Sequence, residues 1–183
     1  MVAILLAAGF EESEALVPAD LLRRAGVKVK LLGLDSLQVT GSHGITVTAD
    51  CVLSQLDQDA AELVFLPGGL KGVANIQNSP AALALIETSC TRGAYLAAIC
   101  AAPTILARVG ILDRRNAVCY PGMEEEMGSA VVQVGSPVVV DGHIITGQAA
   151  GSSFPFGLKL VEVLKGRQAA EEVAHAVHYH GTF

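Results

Sequence analysis

The chain has 183 residues, of which 51% are hydrophobic, and its mean hydropathy is +0.49. This length and apolar content predict one domain, residues 1–183, with a single well-filled core. The formal charge of −6 argues against a protein that binds the nucleic-acid backbone, because neutralising phosphates requires a basic surface. Small molecules or proteins are therefore the expected partners.

The apolar N-terminal segment lacks the features of a targeting sequence. No basic residue precedes residues 2–8, and the segment leads directly into the acidic pair Glu11 and Glu12, whereas a signal peptide begins with positive charge. No apolar stretch approaches the roughly 20 residues that a membrane-spanning helix requires. The four cysteines contain no Cys-x-x-Cys pair, so neither a disulfide framework nor a metal site is predicted. A reduced cytoplasmic compartment is the expected location.

Strand and helix patterns alternate along the first half of the chain. The predicted elements are a strand over 2–8, a helix over 13–25, a strand over 27–32, a hairpin over 39–47, a strand over 62–66 and helices over 71–77 and 79–92. Gly26 is typical of the end of a helix, and Ser79 followed by Pro80 is typical of the start of one.

The same alternation continues in the second half. The predicted elements are a strand over 94–99 with a helix after it, short strands over 117–119 and 131–134, a hairpin over 138–146 and helices over 152–164 and 168–178. Asp141-Gly142 supplies the positive φ angles that a tight hairpin turn needs. The alternation predicts an α/β fold with a mostly parallel sheet covered on both faces. Ligands are then expected beyond the carboxyl ends of the strands.

Cys100 follows a predicted buried strand and precedes the first turns of a helix. Free backbone N–H groups and the helix dipole at such a turn favour the thiolate, and the small neighbours fit a nucleophile elbow. The alternative is a buried cysteine that serves as a small hydrophobic residue.

Two further features are predicted to meet Cys100 at the same sheet edge. Glu14 follows the first strand, where its carboxylate either caps the helix or takes part in chemistry. Gly68 and Gly69 follow the next long strand, where they either make a sharp turn or let backbone N–H groups approach an oxyanion.

The segments 9–14, 66–69, 97–103 and 151–154, in this order and spacing, resemble the ThiJ/PfpI superfamily. Within it they are most similar to the branch of the parkinsonism-associated deglycase and the bacterial YajL-like proteins. The resemblance covers essentially the whole chain. It implies a three-layer, flavodoxin-like αβα domain of the class I glutamine amidotransferase type, and a homodimer with the first helix and the hairpin around His43 near the interface.

The resemblance also implies roles for individual residues. Cys100 matches the nucleophilic and oxidation-sensitive cysteine, and Glu14 matches its hydrogen-bonded glutamate, a candidate general acid and base. The backbone N–H groups of Gly68, Gly69 and Ala101 match the anion-binding groups. A carboxyl beside a thiolate is expected to have a raised pKa and to share a proton with the sulfur.

The sequence departs from the superfamily at two positions of the expected site. Tyr120 stands where members with a third catalytic residue carry histidine, and a phenol with a pKa of about 10 cannot act as the base near neutral pH. A cysteine-histidine peptidase mechanism is therefore disfavoured. His43 stands where family relatives often have an arginine that reaches the active site across a dimer interface, and it is either a turn residue or a catalytic or substrate-binding one.

Together with these residues, the resemblance implies a cofactor-independent enzyme that acts on small reactive carbonyls such as methylglyoxal, or on their protein adducts, in the carbonyl and oxidative stress response. Three hypotheses about the function remain open. The chain is a glyoxalase or deglycase, a redox sensor or redox-regulated chaperone that works through oxidation of Cys100, or, least favoured, a peptidase or amidase.

Overall fold

The computed structural model describes residues 1–57 and 60–183. The strands are β1 (Val2–Leu6), β2 (Val29–Gly33), β3 (Gln38–Thr40), β4 (Thr46–Thr48), β5 (Cys51–Val52), β6 (Leu63–Leu66), β7 (Tyr95–Ile99), β8 (Asn116–Ala117), β9 (Val131–Val132), β10 (Val138–Asp141) and β11 (Ile144–Gly147). The α-helices are α1 (Glu12–Arg24), α2 (Leu70–Gln77), α3 (Pro80–Thr91), α4 (Pro103–Arg108), α5 (Ser153–Lys165) and α6 (Arg167–Ala176).

Seven strands form the central sheet in the order β10-β11-β7-β6-β1-β2-β5. All neighbouring pairs are parallel except β10 and β11, which form an antiparallel hairpin. β1 lies in the interior of the sheet, where Val2 is in register with Val29 of β2 and with Leu63 of β6. The predicted α/β fold with a mostly parallel sheet is confirmed.

Two apolar layers cover the sheet because successive residues of each buried strand face opposite sides. Ala3 and Leu5 of β1 belong to the core that packs against α3 and α4. Val2, Ile4 and Leu6 belong to the opposite core, which packs against α1 and α5. All five β1 residues are buried, which explains why this strand is apolar at every position rather than alternating.

The predicted boundaries agree with the structure to within a few residues. Ser79 accepts a hydrogen bond from the N–H of Ala82 at 3.3 Å, and Pro80 is the first residue of α3. β3 and β4 pair as a hairpin outside the main sheet. The two-residue strand β5 was not predicted, because so short a segment shows no alternation. No helix among the described residues is both long and apolar enough to cross a membrane.

Candidate active site

Cys100 has a left-handed backbone conformation, with φ of 65°. Such a φ costs a residue with a side chain on the order of 1–3 kcal/mol, so its surroundings must hold it in place. The N–H of Cys100 donates to the carbonyl of Gly147 at 3.0 Å, and its own carbonyl accepts the N–H of Tyr120 at 2.8 Å. These bonds fix a sharp turn between β7 and α4, as the sequence pattern predicted.

Three groups contact the sulfur of Cys100. The backbone N–H groups of Ala101 and Gly69 donate to the sulfur, and the thiol donates to the carboxyl group of Glu14. They come from three separate segments, namely the elbow itself, the loop after β6 and the first turn of α1. The strands before these segments are adjacent in the sheet, which is why their carboxyl ends meet here.

Glu14 is buried, with 1% of its surface exposed. Its Oε2 accepts the N–H of Gly68 at 2.9 Å, so the carboxyl group bridges to another element instead of capping its own helix. Burial raises the pKa of Glu14 to about 7, and the repulsion from Glu11 adds to this. The hydrogen bonds from Cys100 and Gly68 offset only part of the increase.

The thiol of Cys100 does not have the lowered pKa that its position at a strand-to-helix turn predicted. Burial, followed by the charge and hydrogen bond of Glu14, raises the pKa of Cys100 to about 12. The N–H groups of Ala101 and Gly69 act in the expected direction but are outweighed. The first proton that the pair loses near neutral pH therefore leaves Glu14, and the carboxylate is placed to take the thiol proton during attack.

Gly68 and Gly69 play different parts, although the sequence placed both in one anion-binding set. A Cβ at Gly68 would lie 2.4 Å from Oε2 of Glu14 and 2.7 Å from the Cβ of Cys100, so only glycine leaves room for the pair. Gly69 has φ of 89°, a conformation that favours glycine, and it directs its N–H at the sulfur. The N–H of Gly68 is used by Glu14, so Gly69 and Ala101 are the backbone donors for an anion at Cys100.

A cavity of about 830 Å³ opens above Cys100. Its lining residues come from six segments of the chain and include Glu11, Glu14, His43, Gly69, Lys71, Cys100, Ala101, Tyr120 and Ala149–Gly151. Cavities of this size hold small-molecule ligands. All of the predicted side chains therefore face the same space, and the 149–151 loop forms part of its rim.

His43 lines the cavity from the hairpin β3–β4 and is held there by Glu12. Nδ1 of His43 lies 3.0 Å from Oε2 of Glu12, and the backbone N–H of His43 donates to Oε1 of Glu12 at 2.8 Å. The hydrogen bond with Glu12 raises the pKa of His43. Burial alone would raise the pKa of Glu12, but the hydrogen bonds from His43 and Ile45 lower it to about 2. The sequence assigned no such role to Glu12.

Tyr120 lies at the cavity rim with about half of its surface exposed. Among the described residues, the thiol of Cys100 hydrogen-bonds with Glu14, Gly69 and Ala101, and no imidazole is among these partners. His43, which does line the cavity, pairs with carboxylates. The geometry gives no support to a cysteine-histidine peptidase.

Lys71 is a cavity residue that the sequence analysis missed. It lies in the first turn of α2, two residues after Gly69, and this closeness to the glycine pair at the sheet edge could have identified it. Cys119, in contrast, is buried beside the site, and burial together with Glu124 and Glu126 raises its pKa to about 11.

A model of the DJ-1/PfpI family matches residues 1–163. The chain belongs to the DJ-1/PfpI family. It is 37% identical over 173 residues to the dj-1beta protein of Drosophila melanogaster, covering 93% of this chain and 92% of that one. It is 30% identical to a protein of Pyrococcus abyssi that is named a deglycase, covering 90% of this chain and 99% of that one.

Solved structures of DJ-1 proteins have the same fold as this DJ-1/PfpI family member. A cysteine mutant of a DJ-1 superfamily protein from Salmonella typhimurium matches with a TM-score of 0.93 at 36% identity, covering 98% of both chains. An oxidised DJ-1 from Toxoplasma gondii matches with a TM-score of 0.93 at 32% identity, also covering 98% of both chains.

Proposed function

We propose that this DJ-1/PfpI family protein converts small α-oxoaldehydes such as methylglyoxal, free or as adducts on proteins, into hydroxy acids. The observation that carries the proposal is the hydrogen bond between Cys100 and Glu14, together with the N–H groups of Gly69 and Ala101 directed at the same sulfur. The name of the Pyrococcus abyssi relative, a deglycase, is consistent with it.

In the first step, the sulfur of Cys100 attacks the aldehyde carbon and its proton passes to the Glu14 carboxylate. A C–S bond forms, and the electron pair of the C=O bond moves to oxygen. The N–H groups of Gly69 and Ala101 are placed to stabilise that oxygen while it is negative. Glu14 then returns the proton to it, which gives a hemithioacetal and restores the carboxylate.

In the second step, Glu14 acts as a base on carbon. Its carboxylate removes the hydrogen from the carbon bonded to sulfur, and the electrons move through the new C=C bond to the neighbouring ketone oxygen. Glu14 returns this proton to the second carbon, and the hydroxyl proton moves between the two adjacent oxygens. A pKa of about 7 suits Glu14 to both the basic and the acidic half of this exchange.

Water completes the reaction by attacking the resulting thioester. The C–S bond breaks, the hydroxy acid leaves, and Cys100 regains its proton. Methylglyoxal and water together have the composition of lactic acid, so no external oxidant or reductant enters. Apart from this water and the substrate, the groups that take part in these steps are Cys100, Glu14 and the two backbone N–H groups.

Lactate formation from methylglyoxal tests the proposal. We expect Cys100→Ser to abolish turnover and Glu14→Gln to reduce it by at least about a hundredfold, since one removes the nucleophile and the other the base. Cys90→Ser is the matched control, because Cys90 lies in α3 and does not line the cavity. Turnover retained in both site variants would overturn the mechanism.

A second candidate function is redox sensing, with or without chaperone activity, through oxidation of Cys100 to a sulfinate. The N–H groups of Gly69 and Ala101 favour it, because they are placed to bind the oxygens of an oxidised sulfur. The oxidised structure from Toxoplasma gondii is of a related protein. Mass spectrometry after mild peroxide treatment should show two added oxygens on Cys100. Oxidation without measurable carbonyl turnover would favour this function.

A cytoplasmic homodimer is the assembly that we propose for this enzyme. Ile45 in the turn of the β3–β4 hairpin is 55% exposed and Phe154 at the start of α5 is 41% exposed, so both offer apolar surface to a second copy. Sedimentation velocity should give twice the mass of the chain, and Ile45→Glu should shift the distribution toward monomer. A single monomer peak for the unaltered protein would contradict the dimer.

A further inference from the structure

Lys71 supplies a positive charge to the cavity that contains Cys100. Its side chain runs across Gly9, since a Cβ placed on Gly9 would lie 2.7 Å from the Cβ of Lys71 and 3.1 Å from its Cδ. Both residues line the cavity. Within residues 1–57 and 60–183, the structure shows no ion pair or hydrogen bond of the Lys71 ammonium group with a carboxylate.

The other charged groups that line the cavity differ from Lys71 in this respect. Nδ1 of His43 lies 3.0 Å from a carboxylate oxygen of Glu12 and 3.3 Å from one of Glu11, so this imidazole is already engaged by carboxylates. Glu11 also accepts hydrogen bonds from the hydroxyls of Ser13 and Ser42 at 3.1 and 3.0 Å. Glu14 is engaged by Cys100 and Gly68. Lys71 is thus the charged lining group, among those described, that has its charge available for a ligand.

The cavity also exceeds what methylglyoxal needs. At about 830 Å³ it has room for several heavy atoms beyond the two carbonyl carbons that react at Cys100. A longer substrate bound at Cys100 would therefore extend within the same cavity that Lys71 lines.

We propose that Lys71 makes the enzyme selective for α-oxoaldehydes that carry a carboxylate at the far end of a short chain. This inference rests on the proposed carbonyl chemistry and specifies its substrate class. A single ammonium group matches a monoanion, whereas a phosphate dianion is usually held by several donors at once. Lys71 is a specificity residue here, and it takes no part in the proton transfers.

The reaction is the same as for methylglyoxal. With 4,5-dioxopentanoate, the sulfur of Cys100 adds to the aldehyde carbon, one hydrogen moves to the ketone carbon, and water cleaves the thioester to give 2-hydroxypentanedioate. The carboxylate at the other end is unchanged throughout. Its ion pair with Lys71 strengthens binding and leaves the bonds that form and break unaltered.

A matched pair of substrates tests the inference. The compounds 4,5-dioxopentanoate and 2-oxopentanal have the same chain length and differ in the terminal carboxylate. We expect the unaltered enzyme to have about tenfold higher kcat/KM for the anion, a value in the range of one charge-assisted hydrogen bond. Lys71→Met should abolish the preference mainly through KM, and Lys71→Arg should keep most of it. The preference should also fall as salt is added.

Lys28→Met is the control, because it removes the same charge from an exposed lysine that precedes β2, at the opposite edge of the sheet from the cavity. It should keep the preference. Equal kcat/KM for the two substrates in the unaltered enzyme, or a preference unchanged in Lys71→Met, would overturn the inference.

A binding measurement separates this inference from the proposed function. Iodoacetamide labels Cys100 without a charge of its own, and 4-oxopentanoate should protect the thiol better than 2-pentanone does. That advantage should vanish in Lys71→Met. If neither oxoaldehyde is turned over but the advantage of 4-oxopentanoate is lost in Lys71→Met, the proposed carbonyl chemistry is wrong and the anion selectivity is supported. If turnover occurs but the advantage of 4-oxopentanoate over 2-pentanone is the same in Lys71→Met as in the unaltered protein, the proposed anion selectivity is wrong.

Discussion

The backbone N–H of Gly68 donates to Oε2 of Glu14 at 2.9 Å, and the same carboxyl group accepts the thiol of Cys100. The end of β6 therefore holds the acid of α1 against the nucleophile that follows β7. Because the three segments meet at one carboxyl group, a small change at any of them should disturb the pair.

Gly68→Ala should greatly reduce activity. The added methyl would lie 2.4 Å from Oε2 of Glu14 and 2.7 Å from the Cβ of Cys100, so the two side chains must separate. We expect carbonyl turnover to fall at least about a hundredfold, since misplacing catalytic groups by an ångström has effects of this size. Steady-state kinetics measures the loss.

The matched control is Gly151→Ala. Gly151 lines the same cavity, but a Cβ there would meet nothing within 4 Å. Its substitution should leave turnover within about twofold of the unaltered enzyme, whereas unchanged activity in Gly68→Ala would contradict the close packing at the acid-thiol pair.

The rate of Cys100 alkylation should rise with an apparent pKa near 7 in the unaltered protein. Burial raises the pKa of Glu14 to about 7, and its carboxylate is the group that takes the thiol proton. Glu14→Gln removes this base, so the rise near neutral pH should disappear and reactivity should follow ionisation of the thiol alone. Iodoacetamide labelling across the pH range measures both profiles. A thiol that titrates at its ordinary value of about 8.5 in both proteins would mean that no activated pair exists.

Glu14→Gln should stabilise the protein at alkaline pH. Burial raises the pKa of Glu14 from 4.5 to about 7, so the folded state holds a proton that the unfolded state releases across this range. The unaltered protein therefore loses stability as pH rises from about 4.5 to about 7, by up to about 3 kcal/mol. Urea unfolding below pH 4.5 and above pH 7 should show that the free energy of unfolding of the variant rises relative to that of the unaltered protein between these two conditions. A constant difference at both would contradict the raised pKa.

Glu12→Gln should loosen the hairpin that presents His43. Oε1 of Glu12 accepts the N–H groups of His43 and Ile45, and Oε2 lies within hydrogen-bond distance of Nδ1 of His43. We expect a loss of about 1–3 kcal/mol in the free energy of unfolding, because a charged acceptor of several bonds becomes neutral.

The pH dependence of the Glu12 variant has the opposite sign to that of the Glu14 variant. Hydrogen bonds lower the pKa of Glu12 from 4.5 to about 2, although burial acts in the opposite direction. The stability that the Glu12 carboxylate contributes is therefore complete above pH 4.5 and is lost as the pH falls toward 2. Urea unfolding at neutral and acidic pH checks this. Glu125→Gln, which neutralises an exposed carboxylate, is the control and should leave the free energy of unfolding at neutral pH nearly unchanged.

The sequence was sufficient to place Cys100 and Glu14 together, because parallel strands end at one edge of a sheet and residues that follow adjacent strands must meet there. It could not assign the N–H groups, since whether Gly68 or Gly69 faces the sulfur depends on the rotation of one peptide unit. The role of Glu12 was equally hidden, because its partners are 31 and 33 residues away. The raised pKa of Cys100 depends on burial, which no local pattern shows.

Position 120 contributes to the site through its backbone. The N–H of Tyr120 holds the carbonyl of Cys100, and nearly any residue can make that bond whatever its side chain. The loop can therefore exchange a histidine for a tyrosine without disturbing the strained turn that presents the nucleophile. Proline is the residue that cannot stand there, because it has no N–H to give. During evolution the side chain at position 120 can therefore change, whereas the backbone N–H that binds the carbonyl of Cys100 must be kept.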